Sequence, residues 1–325
     1  MKNDNIKEII KNLRERYGSE SVHMGFDDIV KGIEVIPTIS ESLNLALGIG
    51  GVPLSRITEI FGTESGSKTT LALSLIATAQ KKGMGTVMVD VEHALSSSYA
   101  EALGVDLNKL IFSQPNSAEE ALAIVEDFSK SPDIGLIVLD SVAALTPQAE
   151  IDGEVGQSHI GITARLLGQA LRKITSNSSK AAIVFINQFR QNISTFANYG
   201  DGLITPGGNA LKYFASIRID MRRSAKLTKN NIPVGNKIKI KVVKNKFAAP
   251  FKTSNVDVLF GRGINKEGDL INICLEKEIL KKEGNSIFYG ELKLGGKMES
   301  SEKYLAENPE MYEKITEELK KTYLV

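Results

Sequence analysis

The fold of this chain is decided by residues 57–71, which read ITEIFGTESGSKTTL. An apolar strand pattern runs into a Gly-rich turn, then Lys68 and Thr69, then a helical run rich in Ala and Leu. This order predicts a phosphate-binding loop, in which backbone N–H groups and a helix N-terminus hold the anion, the Lys reaches the β- and γ-phosphates, and the hydroxyl binds Mg²⁺. The strict pattern has Gly directly before the Lys, where this chain has Ser67. On spacing alone, a strand–turn–helix corner without a ligand is the alternative.

The composition is that of an ordinary α/β protein. The 325 residues are 42% hydrophobic and 24% charged, which allows one large domain with small appendages, or two domains. The one cysteine, Cys274, excludes an internal disulfide framework, and the three histidines are too scattered for a zinc-type cluster. No run approaches the roughly 18 apolar residues of a membrane span, and the first residues lack the apolar segment of a signal peptide. We therefore expect a cytoplasmic protein with no membrane partner.

Strand and helix patterns alternate along the first half of the chain. Strands are predicted at 56–61, 86–91, 134–140 and 181–188, with helices between them at about 68–82, 117–130 and 162–176. Near-continuous apolar strands that alternate with helices predict an α/β fold with a mostly parallel central sheet covered on both faces. In such sheets, ligands bind at the carboxyl ends of the strands, which here are Gly62, Glu92, Asp140 and Asn187–Gln188.

Three of these strand-end side chains suit the hydrolysis of a nucleoside triphosphate. Asp140 can hold a Mg²⁺-bound water, although an isolated Asp would simply cap a strand end. Glu92 can orient and deprotonate the attacking water. Gln188 can donate to the γ-phosphate and change position when that phosphate leaves. Such a movement would report the bound nucleotide to the long loop 189–208 that follows.

The patterns divide the chain into three parts. Residues 1–30 are predicted to form a helix and linker, whose apolar stripe is buried either on its own domain or on a neighbouring subunit. Residues 31–264 form the core, which alternating runs at 216–222, 236–247 and 255–260 extend with antiparallel strands. Residues 265–325 form a small α+β domain that ends in a helix near 308–322. Residues 222–252 contain ten Lys or Arg and no Asp or Glu, which indicates either a solvated strand edge or a surface facing phosphates.

Five motifs closely resemble those of the bacterial RecA recombinase family. They are VDVEHAL (89–95), LDSVAALTP (139–147), FINQFR (185–190), GGNALK (207–212) and KVVKNKFAAPF (241–251). The likeness extends from the N-terminal helix to about residue 320. It implies a RecA-like P-loop ATPase core and a cytoplasmic DNA-repair protein of the SOS response to DNA damage. Such a protein forms a homo-oligomeric helical filament on single-stranded DNA, pairs it with homologous duplex DNA and exchanges strands, using ATP and Mg²⁺.

The resemblance also implies roles for particular residues. Glu92, Lys68 and Gln188 would be catalytic, with Gln188 as the γ-phosphate sensor, and Thr69 and Asp140 would bind the metal. Tyr99 would stack on adenine, and Phe260 and Gly261 would close the pocket. The full set of implied ATP-binding residues is Gly62, Thr63, Glu64, Ser65, Gly66, Ser67, Lys68, Thr69, Thr70, Tyr99, Asp140, Phe260 and Gly261. Residues 1–30 would contribute to polymerisation of subunits.

Further residues are implied to contact the neighbouring subunit or DNA. Lys244 and Lys246 would reach the ATP of the adjacent subunit. The first DNA-binding loop would span about 152–161 and the second 189–208. The implied DNA contacts are Arg165, Arg172, Arg190, Gly207, Gly208 and Asn209. Backbone amides and Arg side chains that bind phosphates would leave the base edges free for pairing. For Arg165 and Arg172, seven residues apart, an ordinary solvated helix stripe is the alternative.

The chain departs from the family pattern in three places. Ser67 replaces the last glycine of the phosphate loop, Ser96 stands where an Asp usually faces the adenine amino group, and no acidic tail follows up to Val325. These departures suggest a phage-encoded or otherwise divergent member. A filament protein that coats single-stranded DNA and binds ATP with little turnover is the alternative function. A hexameric helicase on the same core is disfavoured by the GGN and KNK signatures at 207–209 and 244–246.

Overall fold

A computed structural model describes residues 2–18, 22, 33–154, 157, 161–177, 180–191 and 203–324. It divides into two units, Met1–Glu34 and Val35–Val325. The first contains the predicted N-terminal helix, α1 (Lys2–Tyr17), which exposes Ile6 and Ile9 to 47% and 51%. Most of the predicted linker, residues 19–21 and 23–32, lies outside the described residues. No helix in the described ranges is both long enough and apolar enough to cross a membrane.

The second unit alternates helices and strands as predicted. Its helices are α2 (Glu41–Leu47), α3 (Lys68–Lys81), α4 (Ser97–Ala102), α5 (Ala118–Ser129), α6 (Gln148–Ile151), α7 (Ile162–Ser176), α8 (Ala210–Phe214), α9 (Lys266–Glu276), α10 (Met298–Glu307) and α11 (Pro309–Tyr323). Its strands are β1 (Val35–Ile36), β2 (Val52–Pro53), β3 (Ile57–Gly62), β4 (Gly85–Asp90), β5 (Leu110–Ser113), β6 (Ile134–Asp140), β7 (Ala182–Gln188), β8 (Arg190–Gln191), β9 (Leu203–Ile204), β10 (Ile217–Lys229), β11 (Ile232–Asn245), β12 (Thr253–Leu259), β13 (Gly263–Ile264), β14 (Lys281–Glu283), β15 (Ser286–Tyr289) and β16 (Leu292–Gly295).

A central sheet organises the second unit. Within the described ranges its strand order is β13-β12-β11-β10-β3-β7-β6-β4-β5. The strands from β10 to β5 pair in parallel, whereas β10 to β13 pair antiparallel. The predicted α/β class and the antiparallel extension are therefore confirmed. Because β3 lies between β7 and β10, the phosphate loop that follows β3 is near the middle of the sheet.

Two apolar cores cover the two faces of this sheet. Alternate residues of β6 belong to different cores: Leu136 and Val138 pack with α2 and α3, and Ile137 and Leu139 pack with α5 and α7. This division follows from the two-residue period of a strand, which directs successive side chains to opposite faces. Helices packed on both faces hold the strands in one register, and that register aligns the strand ends at a common edge.

The C-terminal part has its own apolar cluster, built from α9, α10, α11 and the three-stranded antiparallel sheet β14-β15-β16. This is the α+β arrangement expected from the short, mixed patterns there. Asp269 in α9 links this part to α2, since its carboxylate accepts hydrogen bonds from the Ser40 hydroxyl at 3.0 Å and from the Ser42 amide at 3.1 Å. Burial raises the pKa of the Asp269 carboxyl, although these hydrogen bonds oppose the shift.

Candidate nucleotide-binding site

The carboxyl ends of four neighbouring strands meet at one edge of the sheet. The register pairs Gly62 of β3 with Gln188 of β7, and Asp90 of β4 with Asp140 of β6. Helix α3 begins directly after the loop, at Lys68. Its amide groups and positive dipole end therefore face the same edge as the polar strand-end side chains, which is the arrangement that binds anions.

The loop between β3 and α3 is shaped by two close backbone approaches. A Cβ atom on Gly62 would lie 1.9 Å from the Met221 carbonyl oxygen, and one on Gly66 would lie 2.8 Å from that oxygen. Only glycine allows the loop to pass this near to β10. Ser67 has φ 59° and ψ 29°, a left-handed backbone that glycine adopts freely and that accounts for the glycine of the strict pattern at this position.

Lys68 is buried at the start of α3. Its Nζ donates to the Thr63 carbonyl oxygen at 2.8 Å and lies 3.5 Å from the Gly62 carbonyl oxygen. Burial lowers the pKa of Lys68, while the nearby carboxylates of Asp140, Glu92 and Glu64 oppose this shift. The ammonium group is thus held inside the loop, where it can bind a phosphate.

Thr69 and Asp140 form the candidate metal site. The Thr69 hydroxyl donates to Asp140 Oδ2 at 2.6 Å. Burial raises the pKa of Asp140 to about 6, helped by the neighbouring carboxylates of Glu92 and Asp90. A carboxylate that is destabilised by burial gains from a nearby cation, and hydroxyl and carboxylate oxygens are the hard ligands that Mg²⁺ prefers. This donor set fits Mg²⁺.

Glu92 is joined to two neighbours at the same edge. Its Oε1 accepts from Gln188 Nε2 and from the Ser141 hydroxyl, each at 2.5 Å. The predicted water-activating carboxylate and the predicted γ-phosphate sensor are therefore in direct contact. Sequence reasoning assigned no role to Ser141, although its place directly after Asp140 was an available signal.

Two adjoining cavities lie against these groups. The larger, about 750 Å³, is lined by the loop residues 64–70 and by Val91, Glu92, Asp140, Ala143, Ala144, Gln188 and Arg190. Arg190, which was predicted to contact DNA, thus borders the phosphate side. The smaller cavity, about 180 Å³, is lined by Tyr99 and Ser96, among others, and shares Thr69, Glu92 and Asp140. Tyr99 Oη lies 2.9 Å from the Thr70 hydroxyl.

Phe260 and Gly261 line neither of these two cavities. Phe260 is 57% exposed, and its amide donates to the Val234 carbonyl oxygen at 3.0 Å. Gly263, two residues after Gly261, approaches Thr70: a Cβ on Gly263 would lie 3.6 Å from Thr70 Cγ2. Ser96 caps α4 by accepting from the Tyr99 amide at 3.3 Å. Ser96 therefore lines the smaller cavity, whereas the predicted closing of the pocket by Phe260 and Gly261 is not seen in this structure.

Lys244 and Lys246 lie at the opposite edge of the sheet. Lys244 pairs with Arg218 at the start of β10, and Lys246 lines a cavity of about 810 Å³ together with Arg56, Ile57 and other residues of that edge. Lys244 Nζ donates to the carbonyl oxygens of Lys212 and Tyr213 at 2.7 and 2.9 Å. Burial lowers the pKa of Lys244, and the nearby cations Lys246 and Arg218 lower it further. Neither lysine touches the phosphate loop of its own chain.

The predicted DNA-contacting residues other than Arg190 are grouped around α7 and α8. Arg165 and Arg172 are exposed on α7. Gly207 and Gly208 have left-handed backbones, and a Cβ on Gly207 would lie 2.7 Å from Leu167 Cδ2 of α7. Asn209 precedes α8. Residues 155–156 and 158–160 of the first predicted loop, and 192–202 of the second, lie outside the described residues.

Two acidic side chains that sequence reasoning did not single out support the site from inside. Asp90 Oδ2 accepts from the Leu95 amide and from Gln114 Nε2, both at 3.1 Å, and so holds the segment that carries Glu92. Glu59, in the middle of β3, accepts from Asn187 Nδ2 at 3.0 Å. An acidic residue within an apolar strand was the available signal for both, because a buried carboxylate requires partners.

Known proteins of the RecA family match nearly the whole chain. The model of the RecA N-terminal domain matches residues 4–265, and that of the RecA C-terminal domain matches residues 268–324. The chain belongs to the RecA family. Members of this family mediate homologous recombination and strand exchange and are DNA-dependent ATPases. The family acts on DNA, forms filaments and uses ATP, generally with Mg²⁺.

Individual family members are similar over almost their full length. The "Protein RecA" of Nitratiruptor sp. is 48% identical over 314 residues, which cover 96% of this chain and 91% of the relative. That of Thermus aquaticus is 47% identical over 318 residues, or 97% and 93% of the two chains. That of Lactobacillus johnsonii is 43% identical over 316 residues, or 97% and 87%.

Proposed function

We propose that this chain is a filament-forming recombinase whose ATP is bound at the carboxyl edge described above. It assembles on single-stranded DNA, pairs that strand with homologous duplex DNA and exchanges strands. DNA stimulates its hydrolysis of ATP. The observation that carries this proposal is the meeting of Lys68, Thr69, Glu92, Asp140 and Gln188 around one cavity.

In the proposed mechanism, the loop and α3 bind the triphosphate. Backbone amides of the loop and the N-terminus of α3 receive the phosphate oxygens, and Lys68 neutralises the β- and γ-phosphates. Thr69 and Asp140 would hold Mg²⁺, which supplies further charge neutralisation to these phosphates when bound. Tyr99 lines the smaller cavity on the adenine side, with Ser96 in place of an acidic partner for the adenine amino group.

Glu92 orients and deprotonates the attacking water in this mechanism. Its Oε1 is directed by two donors, Gln188 Nε2 and the Ser141 hydroxyl. Gln188 exchanges this partner for the γ-phosphate when a triphosphate is bound, because an amide N–H group donates to either acceptor. The hydrolytic group and the sensor therefore respond to the same phosphate.

The DNA and subunit contacts follow the same assignment. Arg165, Arg172 and the Gly207–Gly208–Asn209 segment would bind phosphates of single-stranded DNA. Arg190 lies two residues after Gln188 and lines the nucleotide cavity, so it could contact either the nucleotide phosphates or DNA. Lys244 and Lys246 would reach the ATP of a neighbouring subunit, which fits their position away from the phosphate loop of their own chain.

The test is ATP hydrolysis measured as phosphate release, with and without single-stranded DNA, on the wild type and on Lys68→Ala. We expect DNA to raise the rate and Lys68→Ala to abolish it. The same preparation is then given homologous or heterologous duplex DNA, and strand exchange is expected only with the homologous one. Binding of DNA without hydrolysis or exchange would identify a coat protein and refute the proposal.

A further inference from the structure

Glu59 is a buried carboxylate that the nucleotide mechanism does not use. It lies in the middle of β3 and is 0% exposed. Its Oε1 accepts from Asn187 Nδ2 at 3.0 Å, and its Oε2 accepts from Arg218 Nε at 2.5 Å. Each partner comes from a strand adjacent to β3, so this side chain spans three strands of the sheet.

Asn187 is oriented by this contact. A carboxylate accepts hydrogen bonds and donates none, so the NH₂ group of Asn187 must face Glu59. The Asn187 Oδ1 atom is then left to accept from the Gln188 backbone amide, at 2.9 Å. Asn187 Nδ2 also donates to the Pro206 carbonyl oxygen, at 3.2 Å. One side chain therefore joins Glu59, Gln188 and Pro206.

Two of the joined groups, Gln188 and Pro206, lie near the two ends of the second predicted DNA-binding loop, 189–208. Gln188 precedes the loop, and Pro206 directly precedes Gly207. Between them, Arg190 pairs with Ile204 and Gln191 pairs with Leu203, so that β8 and β9 bring both ends of the loop together. The Phe189 amide donates to the Gly62 carbonyl oxygen at 3.2 Å, which attaches the same segment to the start of the phosphate loop.

We propose that Glu59 and Asn187 are positioning residues that couple the nucleotide state of Gln188 to the DNA-contacting end of the loop at Pro206. This inference rests on the proposed function of Gln188 as the γ-phosphate sensor. When the Gln188 side chain moves from Glu92 to the γ-phosphate, its backbone amide pulls on Asn187 Oδ1. Because Glu59 holds the Asn187 amide in one orientation, the displacement reaches the Pro206 carbonyl and the glycines after it.

A purely structural role makes a different prediction. The Arg218 side chain is 16% exposed, and its guanidinium lies 4.5 Å from the Phe61 ring centroid. In a purely structural role, Glu59 would do no more than neutralise this largely buried cation. Loss of such a role lowers the stability of the fold and weakens ligand binding whichever nucleotide is present. Loss of a coupling role reduces the difference between nucleotide states.

The measured quantity is a coupling factor. It is the ratio of the dissociation constants of a fluorescent single-stranded oligonucleotide measured with ADP and with a non-hydrolysable ATP analogue. Thermal unfolding of each variant is measured in parallel. The matched control is Asp269→Asn, which removes the charge of another buried, hydrogen-bonded carboxylate far along the chain and is expected to lower stability without changing the coupling factor.

We expect Asn187→Asp to reduce the coupling factor about tenfold, since Asp has no donor for Pro206 and sets a second carboxylate against Glu59. Glu59→Gln is expected to reduce it about fivefold, because a Gln amide no longer enforces the orientation of Asn187. The double variant Glu59→Gln/Asn187→Asp restores a hydrogen bond between the two side chains. In it the amide at position 59 donates to the carboxylate at position 187, the reverse of the wild-type direction. Its stability should recover while its coupling factor stays low, since Pro206 is still without its donor from residue 187.

The inference would be overturned if the double variant regained the wild-type coupling factor together with its stability. It would also be overturned if the single variants Asn187→Asp and Glu59→Gln folded and kept the wild-type coupling factor. If Asn187→Asp does not fold, the double variant carries the test, because it removes the facing pair of carboxylates. A wild type whose DNA affinity does not respond to the nucleotide would refute the proposed sensor and this inference together. A responsive wild type with unaltered variants would refute this inference alone.

Discussion

The two ends of strand β3 contrast sharply in their chemistry. At the carboxyl end, Lys68 donates to the loop backbone, Thr69 donates to Asp140, and the carboxylates of Asp140, Glu92 and Glu64 lie near the Lys68 ammonium group. At the amino end, six residues or roughly 17 Å of strand away, burial lowers the pKa of Lys244, and the nearby cations Lys246 and Arg218 lower it further. There, Lys244 is bound only by main-chain carbonyl oxygens.

This difference is consistent with the proposed contact of Lys244 and Lys246 with the ATP of a neighbouring subunit. A phosphate at the carboxyl edge meets acidic groups that Lys68 alone does not balance. At the amino end, Glu59 pairs with Arg218, while the Lys244 ammonium group donates to main-chain carbonyl oxygens. In the proposed filament, the amino end of β3 in one subunit would face the carboxyl end in the next, so that Lys244 and Lys246 would bring positive charge to the neighbouring nucleotide.

The largest effect on ATP hydrolysis is expected from substitution of Glu92 at the carboxyl ends of the strands. Glu92→Gln keeps the shape of the side chain but removes its capacity to accept a proton. Hydrolysis should fall by about 10²–10⁴-fold, while ATP still binds. Steady-state phosphate release and calorimetric titration with ATP measure the two quantities. Glu101→Gln, an exposed site on α4, is the control; equal loss of binding and turnover in Glu92→Gln would contradict the assignment.

A smaller but still large effect is expected at the amino edge. Lys244→Ala and Lys246→Ala should each lower ATP hydrolysis by about 100-fold, with the isolated subunit still folded. Lys239→Ala, at an exposed position on the same strand, should leave the rate nearly unchanged.

Mixing variants tests whether the two edges belong to different subunits. In co-assembled Lys244→Ala and Glu92→Gln chains, some sites pair an intact Glu92 with an intact neighbouring lysine and should regain turnover. Mixtures that are shown to co-assemble, yet stay inactive, would contradict a role in trans.

Gln188→Ala separates nucleotide binding from its consequence for DNA. The variant removes the Nε2 donor to Glu92 but leaves Lys68, Thr69 and Asp140 in place. ATP should bind with similar affinity, whereas the ATP-dependent gain in single-stranded DNA affinity should fall about tenfold. Fluorescence anisotropy with ADP and with an ATP analogue measures this gain. A full gain in the variant would exclude the sensor role.

The smallest effect is expected at Ser67, where a residue with a Cβ has the left-handed backbone. That conformation costs about 1–2 kcal/mol, and relief of about 1.4 kcal/mol corresponds to tenfold in affinity. Ser67→Gly should therefore bind ATP up to about tenfold more tightly. Ser55→Gly relieves the same strain at the other end of β3, since Ser55 has φ 58°, and should leave ATP affinity unchanged. Unaltered or weaker ATP binding in Ser67→Gly would show that the backbone strain at Ser67 does not weaken ATP binding.

Local sequence was sufficient for the elements and for much of the candidate site. Residues 57–71 carry the strand, the turn and the first helical turn within one short segment, so their order alone predicts a loop that binds phosphate. Asp140 and Gln188 could be singled out because each ends an apolar strand, and Glu92 because it follows one closely, although β4 ends at Asp90 and not at the predicted Glu92. Parallel strands end at a common edge. The family motifs extended this to Lys244, for which the local pattern left open a solvated strand edge or a surface facing phosphates.

Strand order, by contrast, was decided only by the tertiary structure. Placing β3 between β7 and β10 is what brings Glu59 to both Asn187 and Arg218, residues that are 128 and 159 positions away along the chain. It also sets Met221 against the glycines of the phosphate loop. A strand pattern specifies which face of each strand is buried, but the choice of neighbour depends on packing of the whole sheet against its helices. Hydrogen bonds between distant side chains therefore follow from the assembled fold and leave no periodic signal in the sequence.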